Sequence, residues 1–136
     1  MMREDNNNGF SLVELIIVVA IMAILIGALA PQYVKYVEKS RVAADENSAE
    51  VLLGIAYTMV TEQEVCDQLK GGDTIKFTTT GINPSNTAAM NDSLDEHFSN
   101  WKSAKIKSKK YAANGFLITF GENVATGKFT VSSEWP

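Results

Sequence analysis

From Leu15 to Ala30 the chain carries no charged residue, and the apolar stretch that contains this run, Phe10 to Ala30, is 21 residues long. As a helix rising about 1.5 Å per residue it would cover roughly 31 Å, close to the thickness of a bilayer's hydrocarbon core. After Pro31 the composition changes while the helical pattern resumes. Val37, Ala44, Leu52, Ile55, Ala56 and Met59 recur near helical spacing, and Glu38, Lys39, Arg41, Asp45, Glu46 and Glu50 mostly fall elsewhere. This predicts an amphipathic helix to about Val60 with one face for a core, a face that widens at Val51-Leu52-Leu53. Pro31 removes a helical hydrogen bond and crowds the preceding turn, and Gly27 lies four residues before it, so a kink is expected there. A membrane helix that ends at Pro31 and a separate one that follows would satisfy the same residues.

Beyond the helix the pattern shortens. Thr61 with Glu64 either caps a fresh turn or lies inside a continuing helix, and Lys70-Gly71-Gly72 ends it in both cases. Thr74 to Thr80 alternates and is rich in β-branched residues, which predicts a strand. Gly81 to Asn91, with Gly, Pro, Asn and Ser, reads as a surface loop. Ser93-Leu94-Asp95-Glu96 has the form of a capping box, and Leu94, Phe98 and Trp101 follow at i, i+4 and i+7, a short helix with its aromatic face inward. Lys105 to Tyr111, Phe116 to Phe120 and Lys128 to Ser132 are three further strands. Asn114-Gly115 and Gly121-Glu122-Asn123 with Thr126-Gly127 supply their turns. The pattern therefore predicts an α+β fold: a long kinked N-terminal helix packed on a small antiparallel sheet of three to four strands, the last three forming a meander.

Composition narrows the function. At 136 residues with a net charge of −4, the chain fits one modest domain plus a membrane segment and shows no sign of a nucleic-acid protein. Cys66 is the only cysteine, so no intramolecular disulfide can form, and a small buried hydrophobe is its expected role.

Glu14 disturbs an otherwise ordinary membrane segment. A charge at a bilayer centre costs about 2.5–3.5 kcal/mol on insertion scales, less near the interface, so this carboxylate calls for a partner that the apolar run does not supply. A cut between Gly9 and Phe10 would create an ammonium at Phe10, four residues away. Gly9-Phe10-Ser11-Leu12-Val13-Glu14, the uncharged run and Pro31 closely resemble the class III leader and N-terminal helix of type IV pilins and their pseudopilin relatives. The resemblance covers about the first 35 residues and implies three segments: a leader at 1–9, a hydrophobic helix at 10–35 that anchors in the membrane and forms the filament core, and a globular head at 36–136. It further implies cleavage after Gly9 by the prepilin peptidase, N-methylation of Phe10, subunit addition guided by Glu14 through a charge pair with the Phe10 amine, and a bend at Gly27 and Pro31. Two rivals remain at this point. An ordinary secretory signal would use Ala28-Leu29-Ala30 as an A-x-A cleavage site, against which stand Glu14 and Pro31. A plain uncleaved anchor is the other. Lys35, Lys39 and Arg41 beyond the run would by the positive-inside rule hold the head in the cytoplasm, a rule that weakens when a long domain must cross.

The expected function is a structural subunit of a type IV pilus or pilus-like filament, in the cytoplasmic membrane before assembly and on the cell surface afterwards. Its partners would be further copies of itself, the prepilin peptidase and the pilus assembly platform. The alternative is a pseudopilin or minor pilin of a type II secretion or DNA-uptake machine. A third reading is an anchored binding module that never assembles. No catalytic constellation is visible and no cofactor is implied. His97 beside Asp95 and Glu96 lacks a second histidine or cysteine at ligand spacing, and Glu122 with Asn123 offers too few oxygens for calcium. Lys102, Lys105, Lys107, Lys109 and Lys110 form the one charged stripe, with 105, 107 and 109 on one face if the segment is a strand. Three roles are open to it: deterring edge-to-edge strand pairing, packing against acidic helix positions of a neighbouring subunit, or contact with a polyanion or host surface. Interleaved aromatics for stacking bases are lacking.

Overall fold

The computed structural model describes Gly9, residues 11–123 and residues 127–136, Asn123 by its backbone alone. The leader residues 1–8, Phe10 and the turn residue Thr126 lie outside the described residues. A single helix, α1, runs from Leu12 to Thr61 and is unbroken at Pro31, so no separate helix begins there. Proline has no N–H, so the Gly27 carbonyl four residues back loses its helical donor, yet the flanking turns carry the helix through.

The chain divides into two units, the first up to Val37 and the second from Glu38 onward. In the first unit α1 is apolar over its whole circumference, and Leu15, Ile16, Ile17, Ile24, Ile26 and Leu29 are all exposed. Its most apolar 18-residue window has a mean hydropathy of 3.0 and none of it is buried. The helix is long and apolar enough to cross a membrane.

In the second unit one face of α1 is buried, at Asp45, Ala49, Leu52, Ile55, Ala56 and Met59, positions three and four apart. A one-turn helix, α2 (Gln63–Cys66), follows, then strands β1 (Thr74–Thr78) and β2 (Gly81–Pro84), helix α3 (Thr87–His97), and strands β3 (Phe116–Asn123) and β4 (Lys128–Glu134). The sheet order is β2-β1-β3-β4 and every pairing is antiparallel. Register sets the core: Ile75 opposes Ile118 and Phe77 opposes Phe116, and these side chains face the buried positions of α1 together with Met90 and Leu94 of α3. Burying a side chain of the size of Leu52, Ile118 or Phe120 contributes about 1.5–3 kcal/mol each.

Several expectations are corrected. Gly81 to Asn91 is not a loop: its first four residues are β2, and α3 begins at Thr87. The cap of α3 is Asn86, whose Oδ1 accepts the Ala89 N–H at 3.2 Å. Ser93 is buried in the middle of that helix and caps nothing. Leu94 and Trp101 are buried and Phe98 packs on the core, but α3 stops at His97, so the three do not form one helical face. Thr61 does not cap α2 either, since its hydroxyl donates back to the Thr58 carbonyl at 2.8 Å. On α1 it is Asp45 that is buried and Ala44 that is exposed. Cys66 is half-buried and free.

The largest correction concerns Lys105 to Tyr111, which is no strand, so the three-strand meander does not exist. The side chains do alternate, with Ile106 and Ser108 buried and Lys105, Lys107 and Lys109 exposed. The predicted period is there and the ladder is not. The β3 strand pairs instead with β1, closing a sheet of two hairpins.

Gly115 enters β3 with φ +70°, and a Cβ placed there would lie 2.4 Å from the Phe77 carbonyl oxygen. Gly115→Ala is expected to destabilise the head by about 2 kcal/mol or more, combining left-handed strain with a clash against backbone that cannot retreat without opening β1–β3. The shift in urea midpoint of the detergent-solubilised chain measures it.

Candidate assembly site

At the start of α1 the Glu14 N–H donates to Ser11 Oγ at 3.3 Å, and the Ser11 N–H donates to Glu14 Oε2 at 3.2 Å. Ser11 and Glu14 therefore form a reciprocal capping box, satisfying two of the backbone donors that a helix start leaves free. The Glu14 carboxylate sits in the first turn, where the helix dipole favours negative charge. This local role was legible in the S-x-x-E spacing, but Glu14 drew notice only for its charge. Among the described residues Glu14 has no ion-pair partner. The expected pair with the Phe10 amine, and the Gly9–Phe10 bond itself, reach a residue outside those described. Gly27 and Pro31 lie together within α1, one turn apart.

The lysine stripe sits on a segment held from α1. Asp45, 2% exposed, accepts the Lys107 N–H at 2.9 Å with Oδ1 and the Ser108 N–H at 2.8 Å with Oδ2. Glu38 Oε1 accepts the Lys109 and Lys110 N–H groups at 2.7 and 3.3 Å. Apart from the Ile106 N–H, which donates to the Thr78 carbonyl at the end of β1 at 3.0 Å, two helix carboxylates take the place of a neighbouring strand for this backbone. Bonds of this kind to a carboxylate are among the stronger ones. Neither residue stood out in the sequence, where acids on an amphipathic helix read as its solvent face.

The five lysines are all exposed, but they do not act alike. Lys102 Nζ lies 3.9 Å from Asp95 and Lys110 Nζ 4.0 Å from Glu46, both on the surface and worth little each. Tyr111 beside it, with Glu46, holds the Lys110 ammonium above the usual lysine range. Lys105, Lys107 and Lys109 have no ion pair among the described residues. His97 Nε2 lies 3.5 Å from Glu62, which ties the end of α3 to the residue before α2. Among the described residues no three His, Cys, Asp or Glu side chains converge at metal-binding distance.

The arrangement is an apolar helix with an acid in its first turn, carrying a small α+β head. Residues 5–30 match the model of the prokaryotic N-terminal methylation motif. The chain is also 28% identical over 127 residues, 93% of its own length and 79% of the other's, to the type IV major fimbrial protein FimA of Dichelobacter nodosus. No solved structure matched. The chain thus resembles type IV pilins in two ways, by the methylation motif in its first 30 residues and by similarity to a fimbrial protein along most of its length.

Proposed function

We propose that this chain is a structural subunit of a type IV pilus or pilus-like surface filament. The observation that carries the reading is the wholly exposed apolar half of α1 inside the matched methylation motif. An apolar surface of that size requires either lipid or other copies of the same helix, and a filament subunit uses the two in turn. The precursor sits in the cytoplasmic membrane through residues 10–35. The prepilin peptidase cuts between Gly9 and Phe10, Phe10 is N-methylated, and its amine pairs with Glu14 of an adjacent chain as helices bundle into the fibre core. Gly27 and Pro31, where one backbone hydrogen bond is already missing, supply the place where the helix bends. The assembly platform in the membrane adds subunits one at a time, and the heads face the outside. A structural subunit needs no catalytic group.

The test is the intact mass of the protein from native membranes, with fragmentation of its N-terminus. Methylated Phe10 as the first residue is the expected result. A start at Pro31 would mean a secreted soluble domain and a start at Met1 a plain anchor, and each would overturn the assembly reading.

A further inference from the structure

On the flank of α1 that carries Glu46 and Glu50, the head has a groove of ≈ 290 Å³. Its floor is Leu53, Phe116 and Trp135, and its rim is Glu46, Glu50 and Glu134. Trp135 is fixed from below, stacked on Tyr111 at 3.8 Å between centroids and tilted against Phe116 at 4.7 Å. Glu46 is already engaged by the Tyr111 hydroxyl at 2.6 Å and by Lys110. Glu50 and Glu134 have no ion pair among the described residues. An aromatic floor with free carboxylates on its rim suits a long cationic side chain, whose methylenes lie on the ring while its ammonium reaches the acids.

Such side chains are present on the same molecule, in the wrong place to fill the groove themselves. Lys105 and Lys107 border a second depression whose α1 residues are Ala44, Asp45 and Ser48. At about 100° of rotation per residue, Ala44 and Ser48 fall on one side of the buried line through Asp45, Ala49 and Leu52, and Glu46, Glu50 and Leu53 on the other. Unpaired lysines and unpaired acids therefore occupy opposite flanks of one head. A contact between two different patches of identical subunits is heterologous, and unless its rotation closes into a ring it propagates as an open helix.

We propose that Lys105 and Lys107 of one copy dock into the Glu50–Glu134–Trp135 groove of the next, making the head-to-head contact of the filament. This rests on the filament reading and gives the heads a polarity that bundled apolar helices alone do not. Asp45 contributes by fixing the backbone from which the lysines project.

A charge exchange tests it in cells that assemble the full-length protein. Lys105→Glu with Lys107→Glu is expected to lower filament yield at least tenfold, and Glu50→Lys with Glu134→Lys to do the same. All four substitutions together are expected to return it to within about twofold of wild type. Thermal melts of each detergent-solubilised variant establish that the heads fold, since all four side chains are exposed. Normal yield from either double variant overturns the proposal, and so does failure of the fourfold variant to recover while its head is folded. A lysine defect without recovery would assign the stripe to a polyanion instead. Absence of filaments from the wild-type chain would strike the filament reading itself, a result distinct from all of these.

Discussion

Glu14→Ala is expected to leave cleavage after Gly9 intact and to reduce filament yield by more than tenfold. Two effects converge on this residue, and they are separable. One is the capping box: Glu14 returns a hydrogen bond to the Ser11 N–H, a contact of about 1 kcal/mol in helix stability. The other is charge, because a carboxylate next to an uncharged run of apolar residues is tolerated in a fibre core only beside a cation. Glu14→Gln distinguishes them, since glutamine serves in a capping box and carries no charge. If pairing with the Phe10 amine drives assembly, Gln and Ala are equally defective. If Gln assembles like wild type while Ala does not, the cap is what matters and the pairing mechanism is wrong. Ser11→Ala adds the converse arm: it removes the cap and keeps the charge, and is expected to cost less than twofold in yield. N-terminal mass spectra of all three variants show whether processing has been spared.

How much of this was legible in the sequence depended on where each group finds its partner. The long helix was readable because hydropathy and period are properties of the segment alone, and the single helix α1 follows from them. The strands β3 and β4 were readable for the same reason, bounded by glycines and rich in alternating apolar residues. By contrast β2 has the composition of a loop, Gly-Ile-Asn-Pro, and becomes a strand because Ile82 pairs with Phe77 and is buried there. Its strand character comes from β1 and not from itself. The start of α3 carried a usable signal, Asn86 ahead of Thr87-Ala88-Ala89-Met90, but Ser93-x-x-Glu96 has the same chemical form and lies closer to the aromatic residues. Lys105 to Tyr111 shows the limit most plainly. Its alternation is real, but apart from one bond from the Ile106 N–H to the Thr78 carbonyl, the groups that bind its backbone are carboxylates more than 60 positions earlier in the chain. No local period can announce that. The same physics hid Asp45, because an acid on an amphipathic helix belongs outside unless backbone donors come to meet it.

Asp45 therefore makes the sharper test of the head. Asp45→Ala is expected to destabilise it by about 2–4 kcal/mol, because two backbone donors, one of them fully buried, are left without acceptors and each costs about 1–3 kcal/mol. Against a total stability of roughly 5–15 kcal/mol that is a large share. Asp45→Asn is expected to recover little, since the amide keeps one oxygen for Lys107 but turns an NH₂ toward the Ser108 N–H, donor against donor. Glu38→Ala, which frees the Lys109 and Lys110 amides in an exposed setting, is expected to cost less than 1 kcal/mol. Urea denaturation of the detergent-solubilised chain gives the ranking, and hydrogen exchange at Lys107 and Ser108 locates the loss. A value for Asp45→Ala within 0.5 kcal/mol of wild type would mean that water replaces the carboxylate and that buried Ile106, with the Glu38 bonds, is enough to hold the lysine segment. The expected ranking instead makes the buried acid the support of the exposed cations: a substitution that no partner can touch would weaken subunit contact by releasing the segment that presents Lys105 and Lys107.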